Sequence, residues 1–331
     1  MKIIDFQNGK IIKSNYNFVY EDYRQPQLRI LREQEKLDQV IKEAKTEFEK
    51  FILLRNWVKS QWVHSIPQPY PPWNALIILD WIRKGETGGF CAQYAVVYVQ
   101  ACLSLGLQAR YIDINCKGGT GHFLTEVWSN DYNKWVVMDP DFNIHYERNG
   151  IPLNALELHN AWVNNNWQDI EIIQGYPPSK IHHIDNYKYN LIDYYYDISI
   201  DLRNNHLSQP NNFWDRKHGY LSWRDEYTQG RPTIYTRFSN RKQDFYWTLN
   251  QTVIKLIKTS EPDLLKVDLE TFTPNFETFL TRINHSQWSK TNPSFFWKLK
   301  KGSNILEAKS KNKFGISGPI SYVIIDYTGS S

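Results

Sequence analysis

The chain has 331 residues, 41% hydrophobic and 22% charged, a balance that supports a buried core and excludes a disordered chain. Its net charge of +4 is the small difference between 39 basic and 35 acidic residues with no basic block, so nothing marks a nucleic-acid partner. The three cysteines, Cys91, Cys102 and Cys116, are odd in number and lack C-x-x-C spacing, which indicates neither a disulfide framework nor a zinc site.

No apolar run is long enough to insert in a membrane, and the start "MKIIDFQNGKIIKSN" lacks the apolar segment of a signal peptide. This places the chain in the cytoplasm as it stands, or in a secreted or periplasmic setting if a leader was removed ahead of Met1. The length allows two domains and a third small unit. The 13 Trp, 21 Tyr and 16 Phe point to a large core, though exposed rings can also stack on sugars or peptides.

Residues 1–30 read as an extended arm with turns. From Leu31 to Trp62 apolar residues (Leu37, Val40, Ile41, Ala44, Phe48, Phe51, Ile52) recur at helical spacing. "HSIPQPYPPW", 64–73, holds four prolines in eight residues and must be an extended loop. A short helix starts at Asn74 and stops at Gly85. After Gly88-Gly89-Phe90 a second apolar helix runs from Cys91 to about Leu105, ended by Gly106. Then the period changes. "QARYIDINC" reads as a strand, "HFLTEVWSND" and "KWVVMD" as a hairpin turning at "NDYN", and "PLNALELHNAWVNNNW" as a helix. Residues 171–245 are rich in aromatics among Asn, Pro and Gly and read as an ordered extension packed on the core. From 246 to 331, short alternating runs between turn signals suggest a small β-sandwich.

Cys91 is placed where chemistry would want it. A helix N-terminus offers unpaired N–H groups and the positive end of the dipole, which favour a thiolate. His122 follows 31 residues later at the head of a strand, and Asp139 a further 17 residues on, at the end of the partner strand. A hairpin of this length sets the first residue of one strand beside the last of the next. The three residues then form a nucleophile, base and orienter. Each has a plain alternative: a buried core thiol, a hydrogen-bonded strand histidine, a turn aspartate. Cys102 reads as core. Arg110 and Glu126 read as structural support. His64, His182 and His183 have no partner spacing, and Asp139-x-Asp141 lacks the EF-hand pattern, so the sequence calls for no cofactor and no metal.

The run "GGFCAQYAVVYVQACLSLGLQARYIDI…GHFLTEVWSNDYNKWVVMDP" resembles the core of the transglutaminase-like superfamily. The shared elements are Gly89-x-Cys91, Gly106-Leu107-Gln108-Ala109-Arg110, Gly121-His122 with Glu126, and Trp135 before Asp139-Pro140. The resemblance covers roughly residues 35–165. It implies an α+β, papain-like fold, with the nucleophile helix packed on an antiparallel sheet bearing His122 and Asp139, and it carries Cys91, His122 and Asp139 over as a catalytic triad. The C-terminal region is similar to Ig-like or fibronectin-like end strands, giving a C-terminal all-β sandwich. The expected division is a catalytic core with an N-terminal helical arm at 1–170, the extension at 171–245 and the sandwich at 246–331. An oxyanion donor is expected from the Cys91 backbone N–H and from an indole upstream, Trp62 ahead of Trp73. The function that follows is a thiol enzyme acting on amide bonds of a protein, peptide or glycopeptide, by hydrolysis or by acyl transfer to an amine. The alternative is a catalytically silent scaffold, or a glycan- or peptide-binding protein using the aromatic segment 194–227.

Overall fold

A computed structural model of the protein describes residues 1–181, 191–209 and 216–329. They divide into two compact units, one of residues 14–245 and one in which residues 1–13 join residues 246–331. The arm at 1–13, expected beside the catalytic core, therefore belongs to the C-terminal unit. Its strand β1 (Lys2–Gln7) pairs antiparallel with the last strand of the chain, Ile3 opposite Ile325.

The helical stretch expected over 31–62 is three pieces: α1 (Pro26–Gln34), α2 (Leu37–Val40) and α3 (Glu47–Lys59). It breaks at Lys36, which takes a left-handed φ of 50°, and restarts at Thr46, whose hydroxyl accepts from Glu49 N. Helix α4 (Ala75–Arg83) is capped by Asn74, whose side chain accepts from Leu76 N, and it stops before Gly85 at φ 73°. Helix α5 (Cys91–Ser104) is buried on every side from Ala92 onward, as its mostly apolar composition requires, and Gln93 and Gln100 are buried with it. It packs on α1, α3 and α4 and on strands β2 (Ala109–Asn115) and β3 (Gly121–Ser129).

Strand β3 forms the expected hairpin with β4 (Lys134–Met138), Thr125 opposite Met138. Beyond it lie β5 (Ile144–Arg148), β6 (Ile151–Pro152), α6 (Ala155–Val163), β7 (Glu171–Gln174) and β8 (Ser179–Ile181). The strands among these make a separate small sheet in the order β6-β5-β7-β8. Strands β9 (Asp197–Asp201), β10 (Tyr220–Trp223) and β11 (Arg237–Ser239) extend the main sheet, whose order is β11-β10-β9-β2-β3-β4. The segment 171–245 is thus no appendage. Its described part supplies half of the sheet on which α5 lies.

In the other unit, β12 (Thr252–Lys258), β13 (Leu264–Thr271) and β16 (Ser294–Lys298) form one sheet. Strands β14 (Phe276–Ile283), β15 (Ser289–Thr291), β17 (Gly302–Asn312) and β18 (Ser321–Tyr327) form the other with β1, in the order β1-β18-β17-β14-β15. Both sheets turn alternate residues into one shared core that includes Val267, Trp297, Leu306 and Val323.

Among the described residues, no helix is long and apolar enough to cross a membrane. All three cysteines are free thiols.

Candidate active site

Cys91 is the first residue of α5, half-exposed, while the rest of the helix is buried. Its amide heads the helix and has no intrahelical acceptor. The turn before it is fixed by close packing. A Cβ on Gly88 would lie 2.5 Å from the Ile66 carbonyl and the Ser65 hydroxyl, and one on Gly89 would lie 2.6 Å from Trp62 Nε1. The two glycines therefore let the loop after α3 run directly along the turn before Cys91. The Gly89 carbonyl binds that loop through Ser65 N at 2.9 Å and Trp62 Nε1 at 3.2 Å.

His122 sits at the start of β3, almost fully buried. Its Nε2 is 2.7 Å from Asp139 Oδ2, which leaves Nδ1 as its second ring nitrogen, and Cys91 lines the same cavity as the ring. Asp139 lies just past β4. Its Oδ1 accepts from the backbone N–H groups of Asp141 and Phe142 at 3.0 and 3.2 Å, which holds the carboxylate in place. Burial alone would lower the His122 pKa. The Asp139 charge and hydrogen bond, with a further contribution from Cys91, outweigh it and hold the imidazole well above the usual histidine value. Phe142 and Tyr194 pack their rings on the imidazole, with centroids 5.1 and 6.0 Å away. Tyr194 comes from the segment 171–245.

Beneath Asp139 lies a second polar layer. Arg55, fully buried on α3, feels the Asp139 charge. It donates to Asn143 Oδ1 at 3.0 Å and from Nη1 to His145 Nδ1 at 2.7 Å. Burial brings the His145 pKa down to about 4, so that ring is neutral and its Nε2–H donates to Glu147 at 2.9 Å.

The structure does not offer either expected indole to an oxyanion. Trp62 donates to Gly89 and stacks on Tyr94, with centroids 4.1 Å apart; Trp73 donates to the Tyr70 hydroxyl at 3.1 Å. In a packed interior an N–H takes the acceptor that the fold provides, and sequence position alone does not reveal it.

Arg110 and Glu126 meet as support, fully buried. Arg110 donates through Nε at 3.0 Å and through Nη2 to Glu126 Oε2, and from Nη1 to the Phe245 carbonyl at 2.6 Å. The other carboxylate oxygen accepts from Ala155 N at 2.8 Å, and the Arg110 guanidinium lies over the Trp135 ring at 4.2 Å. His64, read from sequence as having no partner, grips Asp141 through Nδ1 at 2.9 and 3.0 Å. His182 and His183 lie outside the described residues. The rings of the described part of 194–227 are mostly core: Tyr194, Tyr195, Tyr196, Tyr220 and Trp223 are buried, which removes them as a stacking platform for sugars.

In front of Cys91 opens a cavity of ≈ 610 Å³ lined by Tyr70, Phe90, Cys91, Ala92, Asp113, Gly121, His122 and Phe123. Tyr70, Phe90, Asp113 and Phe123 are site residues that the sequence reading missed. No local sequence signal marked them: the register of β2 on β3, which sets Asp113 opposite Phe123, the neighbour of His122, is visible only in the fold.

A helix-start thiol that shares a cavity with a buried imidazole anchored on a carboxylate, between a central helix and an antiparallel sheet, is a papain-like arrangement. Residues 34–140, about a third of the chain, match the family model described as the transglutaminase-like superfamily, and this stretch is a transglutaminase-like core. A solved structure, that of red sea bream transglutaminase, is similar at 10% sequence identity and a TM-score of 0.28, over 94% of this chain and 74% of that one. No curated protein matches the sequence significantly.

Proposed function

We propose that the protein is a thiol enzyme that opens amide bonds through an acyl-enzyme on Cys91. The observation that carries this reading is that His122, anchored on Asp139 at 2.7 Å, lines the same open cavity as Cys91. His122 takes the thiol proton, and Asp139 holds the ring and stabilises the imidazolium. The thiolate sulfur forms a bond to the carbonyl carbon and the π pair moves to oxygen, facing the N–H of Cys91 at the head of α5. As the carbonyl re-forms, the C–N bond breaks and the amine leaves with the proton from His122. Water, deprotonated by His122, then attacks the thioester carbon; the C–S bond breaks, the carboxylic acid leaves, and the Cys91 sulfur takes back the proton from His122. An amine in place of water would give transfer, and water is the default acceptor. The substrate class is a protein, peptide or glycopeptide amide.

An activated ester such as a p-nitrophenyl ester, with peptide mapping by mass spectrometry, tests this. The expected result is a burst of p-nitrophenol with the acyl mass on the Cys91 peptide, absent in Cys91→Ala and slowed at least about 100-fold in His122→Ala. Iodoacetamide labelling of Cys91 at pH 6 no faster than in the unfolded chain would refute it.

A further inference from the structure

The turn that presents Asp139 is pinned by residues outside the triad. The backbone N–H groups of Asp141 and Phe142 aim the Asp139 carboxylate, and they do so only while the turn keeps its shape. One pin is Asn143, which accepts from Arg55 Nε at 3.0 Å and donates to Asn56 Oδ1 at 2.9 Å, both on α3. The other is Asp141. Its side chain is only 3% exposed, and a buried carboxylate needs a donor. That donor is His64, whose Nδ1 lies 2.9 and 3.0 Å from the two carboxylate oxygens, while Lys59 Nζ stands off at 3.9 Å. With 53% of its side chain exposed, His64 adds little to core packing. Its neighbour Ser65 donates its N–H to the Gly89 carbonyl at 2.9 Å and accepts from Gly89 N on its hydroxyl at 3.4 Å, two residues before Cys91. Contacts therefore run without a gap from Asp139 through Asp141, His64, Ser65 and Gly89 to Cys91.

We propose that His64 is a positioning residue for the reaction at Cys91: its bond to Asp141 locks the loop that shapes the Cys91 turn to the turn that aims Asp139. The proposal rests on Cys91 being the nucleophile. His64 itself touches no reacting atom. Without its donor, Asp141 keeps only Lys59 at 3.9 Å as a cationic partner among the described residues, and the turn relaxes. The Asp139 carboxylate then loses its aim at His122. A misplacement of about 1 Å is enough to slow a reaction by about 10²-fold.

The test separates rate from affinity. The full-length protein is acylated with a p-nitrophenyl ester over a range of concentrations, at a temperature below the melting transition of every variant. His64→Ala should lower the acylation rate constant about tenfold or more and leave the apparent ester affinity within about twofold. His64→Asn, whose amide N–H can stand in for Nδ1–H at Asp141, should recover most of the rate. Lys59→Met removes the more distant cation and leaves the clasp, so it should acylate like the wild type. A low-field imidazole proton resonance that is lost in Asp139→Asn reports the His122–Asp139 bond. It should broaden or shift in His64→Ala and return in His64→Asn. A His64→Ala protein that acylates within about twofold of wild type overturns the proposal. So does equal slowing in His64→Asn, or a loss in Lys59→Met as large as in His64→Ala, which would make charge the cause. Slowing in His64→Ala with an unchanged proton resonance also overturns it, because Asp139 would then have kept its aim. A wild type that takes no acyl group on Cys91 fails the nucleophile reading itself, and the proposal falls with it.

Discussion

Replacing Glu126 with Gln should destabilise the 14–245 unit without touching the cavity. Both carboxylate oxygens of Glu126 only accept: Oε2 from two N–H groups of Arg110, Oε1 from Ala155 N. A glutamine must place its NH2 where one oxygen was, so in either orientation a donor faces a donor. The Arg110 guanidinium, with 0% of its side chain exposed, loses its counter-charge as well. Removing one partner of a buried ion pair costs about 3–5 kcal/mol. For a unit of this size each kcal/mol lowers the melting temperature by about 2–4 °C, so the expected loss is about 6–20 °C. Circular dichroism melts measure it, and iodoacetamide labelling of Cys91 below the transition should stay near wild type. The double variant Arg110→Met/Glu126→Leu, which removes both charges, should recover much of the loss. A single variant melting within about 2 °C of wild type would refute the claim that this pair carries part of the unit's stability.

Three further outcomes follow from the site. The raised His122 pKa means that the imidazolium is complete below the ordinary histidine value and is lost only as pH rises through the higher folded one. Asp139→Asn removes the main raising cause and leaves the lowering effect of burial, so the alkaline limb of kcat/KM should move to lower pH, with kcat down by roughly 10²–10⁴; an unmoved limb would count against Asp139 as the orienter. Burial pushes the Cys116 thiol up to about 11, and the Cys102 thiol upward too. At pH 7, alkylation should therefore fall on Cys91 alone until the protein unfolds, as peptide mapping would reveal. A chain of residues 14–245 should fold and keep Cys91 labelling, because that unit is compact by itself; a well-folded version with an unreactive Cys91 would contradict it.

The parts legible in the sequence were those written in local chemistry. Asn74 and Gly85 bound a helix, Gly106 ends another, and the spacing of Cys91, His122 and Asp139 follows from a helix start and one hairpin. The break at Lys36 was hidden because the apolar period continues across it, and only backbone geometry interrupts the helix. The joining of β9, β10 and β11 to the main sheet was hidden for another reason. Ile200 pairs with Ile112 across 88 residues, and nothing near either residue encodes that pairing. The indole partners of Trp62 and Trp73 and the cavity position of Asp113 are tertiary facts of the same kind. Arg110, Glu126 and Trp135 were legible as family residues, yet their part in the motif is to brace the sheet.

The pairing of β1 with β18 makes the 14–245 unit an insertion within the C-terminal unit, and this sets an order in time. During synthesis at about 5–20 residues per second, Ile3 leaves the ribosome roughly 15–65 s before Ile325, its partner. Over that interval the inserted unit has all of its own strands and can close, while β1, whose Ile3, Ile4 and Phe6 stay exposed even in the folded protein, waits with its backbone groups unmatched. The waiting strand has the composition of an adhesive edge, so during synthesis the nascent protein is vulnerable to pairing with other chains along Lys2–Gln7.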